Sequence, residues 1–203
     1  MMNLSKIFKF GNINCNNYSF TRCAMDYKII TEADFMQILK RENIEEKELT
    51  SLLINKLKSK GMKVASAESC TGGLISKLLT DESGVSEVFD CGVCSYANCI
   101  KEKVLGVSKE SLENYGAVSS FVAAEMAQGV RKLANADLGI STTGVAGPTG
   151  GSKEKPVGTV FIGISLKDVT HVFKADFSAN FNNRDKNRQL AAHLAIYCGF
   201  SSI

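Results

Sequence analysis

The stretch KVASAESCTGGLISKLL, residues 63–79, changes character twice in a short space. Small and branched apolar residues give way to Glu68-Ser69-Cys70-Thr71-Gly72-Gly73, and apolar positions at helical spacing follow. MKVASA (62–67) reads as a short buried strand and TGGLISKLLTD (71–81) as a helix. A serine or threonine at such a junction commonly caps the helix by accepting a backbone N–H bond. In an α/β sheet the same junction lies at the carboxyl end of a strand, where ligands bind.

Working outward, the chain alternates between the two periodicities. Before the junction, TEADFMQILKR (31–41) offers Thr31 as a cap, and EEKELTSLLINKLKSKG (45–61) places Leu49, Leu52, Leu53 and Leu57 on one helical face with Gly61 as a stop. After it come a strand in VFDCGVCSYA (88–97), a short helix in CIKEKVLG (99–106), and KESLENYG (109–116) capped by Ser108. SSFVAAEMAQGVRKLANA (119–136) is amphipathic, and DLGISTTG (137–144) is a strand. VGTVFIGISLK and VTHVFKADFS are strands joined at Lys167–Asp168, a hairpin that would make the sheet mixed, and NNRDKNRQLAAHLAIYCGF closes as a helix. Strands separated by helices predict one three-layer α/β/α domain over residues 26–203.

Composition excludes several function classes. The chain has 203 residues and a formal net charge of +3. Lys6, Lys9 and Arg22 lie in residues 1–25, which hold no acid, so residues 26–203 carry 21 basic against 21 acidic side chains. A near-neutral body without a basic face argues against nucleic acid as partner. No apolar run approaches the roughly 20 residues of a membrane span. Residues 1–25 read as a tail or leader; the acid-poor composition suits organelle targeting, but the segment is short of the arginine and serine that transit peptides favour, so a cytoplasmic protein is expected. Seven cysteines, an odd number, in a chain without a secretory segment predict free thiols. Cys91 and Cys94 form C-x-x-C inside a strand, where residues three apart face opposite sides, so no metal site is expected. Cys70 is a conceivable nucleophile beside Ser69, with His171 and His193 as the only imidazoles.

Three polar segments fall at the ends of strands: 68–73; Ser95-Tyr96-Ala97-Asn98, with Lys101 one turn further; and TTGVAGPTGGSKEKPVG, 142–158. Glycines near helix starts expose N–H groups and permit close approach of a ligand. Neither a Walker loop nor a G-x-S-x-G elbow is present. A small-molecule or nucleotide site is therefore expected.

AESCTGG (67–73), YANCIK (96–101), GAVS (116–119), TGVAGPTGG (143–151) and KPVGTV (155–160) together resemble the carboxy-terminal domain of the competence/damage-inducible CinA family, whose free-standing members are PncC-type nicotinamide-nucleotide amidohydrolases. The resemblance spans about residues 45–200. It implies a three-layer α/β/α fold with a mostly parallel, mixed five-stranded sheet. It further implies hydrolysis of the carboxamide of nicotinamide mononucleotide to nicotinic acid mononucleotide and ammonia, without cofactor or metal. By motif position the implied serine/lysine dyad falls on Ser69 and Lys101. Substrate contacts are expected from Glu68, Thr71, Gly72, Gly73, Tyr96, Asn98, Thr143, Gly144, Gly147, Gly150 and Gly151. Arg184 occupies the position of a family arginine that follows Gly-Asp, although Asn182-Asn183 precede it here and the loop before it is about two residues longer. Ala97 replaces a serine often seen in the family. Ser69 leads over Thr71 as nucleophile on the family pattern. The alternative function is a non-catalytic pyridine-nucleotide-binding module acting through partners. The apolar helix of 119–134 suits either a second subunit or the core.

Overall fold

The computed structural model describes residues 27–203; the leader expectation for 1–25 lies outside them. The elements run β1 (Lys28–Thr31), α1 (Glu32–Glu42), α2 (Leu49–Lys60), β2 (Val64–Glu68), α3 (Leu74–Thr80), β3 (Phe89–Cys94), α4 (Asn98–Leu105), α5 (Lys109–Tyr115), α6 (Ser120–Leu133), β4 (Leu138–Gly144), β5 (Thr159–Ser165), β6 (Thr170–Asp176) and α7 (Arg184–Ser202).

Local chemistry sets several boundaries. Thr31 and Asp34 form a reciprocal capping box at the start of α1, Ser108 accepts from the Ser111 amide at the start of α5, and Ser119 accepts from the Val122 amide at the start of α6. Gly61 and Gly106 end α2 and α4 in the left-handed region.

The sheet has six strands in the order β1-β6-β5-β4-β2-β3. β3, β2 and β4 are mutually parallel, β5 runs antiparallel between β4 and β6, and β1 adds in parallel to β6. The expected five strands are thus joined by β1 at one edge. Its four residues, one of them buried, carry too little pattern to be read alone; pairing with β6 makes the strand.

Alternation along the strands divides two cores. Val64, Leu138, Ile140, Ile162, Ile164 and Phe173 face α1, α2, α3 and α7, whose Phe35, Leu53, Leu57, Ile75 and Leu194 bury against them. Ala65 and Ala67 face the other way, toward Leu105, Leu112, Val122, Met126 and Val130 of α4–α6. The chain therefore leaves β2 through a helix on one face and leaves β3 through helices on the opposite face. That reversal opens a crevice at the carboxyl ends of β2, β3 and β4. Helix α3 packs tightly on β3 there: a Cβ on Gly92 would lie 2.2 Å from Ser76 Oγ.

Candidate active site

The three loops leaving β2, β3 and β4 all border this crevice, and they are the three segments the sequence singles out. Ser69 stands one residue past β2. Its amide donates to Thr142 O at 3.0 Å and the Ser95 amide donates to Glu68 O at 2.8 Å, so the parallel ladder continues into the loops and fixes their spacing.

The turn after Ser69 is built on Glu68. This side chain is fully buried, and its two oxygens accept five hydrogen bonds: from Thr71 Oγ1 (2.7 Å), the Gly73 and Ile75 amides (3.0 Å each), and the Ser76 amide and hydroxyl (2.8 Å each). The start of α3 has no side-chain cap from its own N-cap residue, Gly73; the carboxylate reaching down from β2 takes that place. Gly72 and Gly73 adopt φ +61° and +96°, the left-handed region that lets the chain fold back over Glu68. Sequence reasoning gave capping to Ser69 or Thr71, because caps are sought within two residues of a helix rather than in the preceding strand.

Thr71 is fully buried, with its hydroxyl between Glu68 and Thr142 Oγ1 at 2.7 Å each. Ser69, by contrast, is partly open, and Lys101 Nζ lies 3.1 Å from its Oγ. Lys101 comes from the first turn of α4, whose start follows directly from the end of β3, and is 1% exposed. Its other partners are two carbonyl oxygens, Ser95 O at 2.5 Å and Tyr96 O at 3.3 Å. Among the described residues no carboxylate pairs with it. Burial lowers its pKa from the ordinary lysine value, a trend the nearby Cys70 opposes. The Cys70 thiol itself is buried and pushed up to about 12 by desolvation, which leaves it protonated and inert at neutral pH. Cys91 packs with the α4–α6 core while Cys94 Sγ lies against Gly73, on opposite faces of β3.

The remaining expected contacts divide between rim and interior. Tyr96, 70% exposed, and Arg184 meet at the rim, with Arg184 Nη2 3.5 Å from the phenolic oxygen and Nη1 donating to Gly147 O at 2.7 Å. Asn98 opens α4 and is exposed, as are Gly150 and Gly151 of the third loop. Thr143 is buried and its hydroxyl donates to Ala117 O at 2.7 Å, which ties the GAVS segment beneath the loop. Gly144, at the end of β4, admits no side chain: a Cβ there would lie 2.5 Å from Thr159 O. The polar atoms of Glu68, Thr71 and Thr143 are thus engaged by the fold, whereas Ser69 is partly open and Tyr96, Asn98, Arg184, Gly150 and Gly151 are exposed.

Several residues escaped the sequence reading. Arg188 Nη2 donates to Thr71 O at 2.6 Å, and the fully buried Asn187 donates to Ala146 O (3.1 Å) and Asn180 O (3.2 Å). With Arg184 they share one face of α7 at spacings of three and four, the only available hint in RDKNR. Ser95 Oγ, beside the carbonyl that holds Lys101, is buried without a partner among the described residues. The loop before Arg184 is anchored from outside: Asn180 Nδ2 donates to Glu32 at 2.7 Å, and Asn183 caps α7.

The family model for the CinA C-terminal domain matches residues 46–199. Relatives named as competence-damage inducible proteins include those of Thermoanaerobacter pseudethanolicus, 51% identical over 68% of this chain and 33% of its own length, and Caldanaerobacter subterraneus, 50% identical over 71% and 34%. The chain thus spans about a third of the curated relatives it matches. Among solved structures, a competence/damage inducible protein of Agrobacterium tumefaciens aligns with TM-score 0.71 at 37% identity, covering 75% of this chain and 92% of that one. A CinA-superfamily protein of Escherichia coli aligns with TM-score 0.71 at 30% identity over 91% and 95%. With the family model covering most of the chain and the same fold in solved members, this protein belongs to the CinA C-terminal domain family.

Proposed function

We propose that the protein is a serine amidohydrolase that releases ammonia from the carboxamide of nicotinamide mononucleotide. The observation that carries this reading is the set of partners around Lys101 Nζ: two carbonyls and one hydroxyl. A neutral amine has two N–H donors and one lone pair. As an ammonium, Lys101 donates to Ser95 O, Tyr96 O and Ser69 Oγ; once it loses a proton, its two N–H groups stay on the carbonyls, which only accept, and its lone pair is left facing the Ser69 hydroxyl. Burial without a carboxylate partner among the described residues also lowers the Lys101 pKa from the ordinary lysine value, which favours the neutral amine.

The reaction then runs in two halves. Lys101 takes the Ser69 proton as Oγ bonds to the amide carbon, and the carbonyl electrons move onto oxygen. When the tetrahedral adduct collapses, the C–N bond breaks and the Lys101 ammonium gives its proton to the departing nitrogen, which leaves as ammonia. Water then attacks the acyl-serine, passes a proton to Lys101, and the Ser69 oxygen recovers it as the acid departs. Arg184 at the rim, beside Tyr96 and the loop of Gly147–Gly151, supplies guanidinium donors for the 5′-phosphate, and Tyr96 and Asn98 line the approach of the ring and ribose.

Ammonia release from nicotinamide mononucleotide by the purified protein tests this, with Ser69→Ala and Lys101→Ala alongside. Release by the wild type and loss in both variants is expected. Activity surviving in Ser69→Ala overturns the dyad; binding of the nucleotide without turnover in the wild type overturns the enzyme and leaves a binding module.

A further inference from the structure

Helix α7 reaches all three loops of the crevice from one face of its first two turns. Arg184 holds Gly147 O in the third loop and lies against Tyr96 of the second, Asn187 holds Ala146 O, and Arg188 holds Thr71 O in the first. Of these contacts, the one from Arg188 acts on the turn that carries Ser69. A guanidinium donor at 2.6 Å from a carbonyl oxygen is a short, charge-assisted bond. The same guanidinium lies 3.4 Å from where a Cβ on Gly72 would stand, so it is seated along the Thr71–Gly72 peptide.

Four of the eight amides from residues 69 to 76 have acceptors: Ser69 N–H goes to Thr142 O, and Gly73, Ile75 and Ser76 N–H go to Glu68. Among the described residues, the Gly72 N–H has no acceptor. A trans peptide is planar, with C=O and N–H pointing to opposite sides. The bond that aims Thr71 O at Arg188 therefore turns the Gly72 N–H away from α7.

We propose that Arg188 is a positioning residue for the acylation of Ser69, holding the Thr71–Gly72 peptide so that the Gly72 N–H is presented to the oxyanion. The inference rests on Ser69 being the nucleophile of the proposed reaction. Gly72, with φ +61°, has no side chain to stiffen its peptide, so an external clamp is what keeps this donor fixed. Fixed donors are worth more to a developing charge than mobile ones, because no reorganisation accompanies the reaction.

The test reads Ser69 itself as well as turnover. A fluorophosphonate that phosphonylates Ser69, with Ser69→Ala as the blank, reports nucleophile reactivity without regard to the natural substrate. In Arg188→Met, the labelling rate and kcat should both fall by about tenfold or more, as expected for loss of a preorganised donor, with KM within about twofold of wild type. Arg188→Lys should recover part of the labelling rate, and unfolding midpoints of both variants should lie well above the assay temperature. Labelling of Arg188→Met at the wild-type rate overturns the proposal. So does a raised KM at unchanged kcat, which would make the guanidinium a substrate contact. A wild type that labels at Ser69 yet releases no ammonia overturns the amidase reading alone, and the labelling ratio still decides the role of Arg188.

Discussion

Two ionisable side chains are buried within one loop of each other at the carboxyl ends of the strands, and their surroundings are opposites. Glu68 is 0% exposed and five donors converge on it. Lys101 is 1% exposed and meets two carbonyls and a hydroxyl, with no opposite charge against it among the described residues. A charge buried with its full complement of partners is anchored and does structural duty. A cation buried without an anion is penalised by desolvation, and the group responds by giving up its proton. The first side chain shapes the turn; the second is the one to which the proposed reaction gives the proton transfer.

The contrast can be broken by substitution. Lys101→Arg should abolish ammonia release, falling at least about a thousandfold, because a guanidinium stays protonated in proteins and cannot serve as base. Residual turnover above that level would show that Lys101 acts by charge rather than by proton transfer. On stability the order reverses. Glu68→Ala strands the Gly73, Ile75 and Ser76 amides and should lower unfolding stability by about 3 kcal/mol or more in urea titration. Lys101→Met removes a buried amine in favour of a side chain of similar length, and should change stability by less than about 1 kcal/mol or raise it. Equal losses in the two variants would erase the distinction.

The pH dependence sharpens the comparison. Because burial lowers the Lys101 pKa, the basic form is reached at a lower pH than for a free lysine, and kcat/KM should rise with pH through a limb below 10.5. A limb at the ordinary lysine value would contradict the burial. Smaller still is the effect at Glu46, whose carboxyl is held below its usual value of 4.5 chiefly by His193 of α7. A group lowered in the folded state contributes stability above its unfolded pKa that is lost as pH falls through the folded one. The stability difference between wild type and Glu46→Gln should therefore be present at neutral pH and vanish in acid, as thermal unfolding at several pH values would read. Cys70→Ala should leave turnover intact, since the proposed reaction gives no role to the buried thiol, pushed up to about 12.

Much of the fold was legible because it depends on short-range rules. Thr31 and Ser108 sit within three residues of the amides they cap, and the amphipathic period of α6 is carried by the chain itself. The parallel strands β2, β3 and β4 are apolar enough to be found one by one. β1 was not, since four residues with one buried side chain become a strand only when β6 lies alongside. Glu68 reads in sequence as an acid available to a ligand; only with α3 folded back onto it do its oxygens find five donors.

Read alone, the chain carries the order of its elements, its three polar loops and, through the family motifs, the pairing of Ser69 with Lys101. Tertiary structure decided what each is worth. Ser69 and Lys101 lie 32 positions apart and meet at 3.1 Å because β2 and β3 are neighbours in register and α4 begins where β3 ends. Arg188, 117 positions beyond Thr71, reaches its carbonyl only because α7 packs across α3. Burial and hydrogen-bond supply are properties of the neighbours a residue acquires on folding, and those two quantities separate the buried acid that five donors anchor from the buried amine that meets no opposite charge among the described residues.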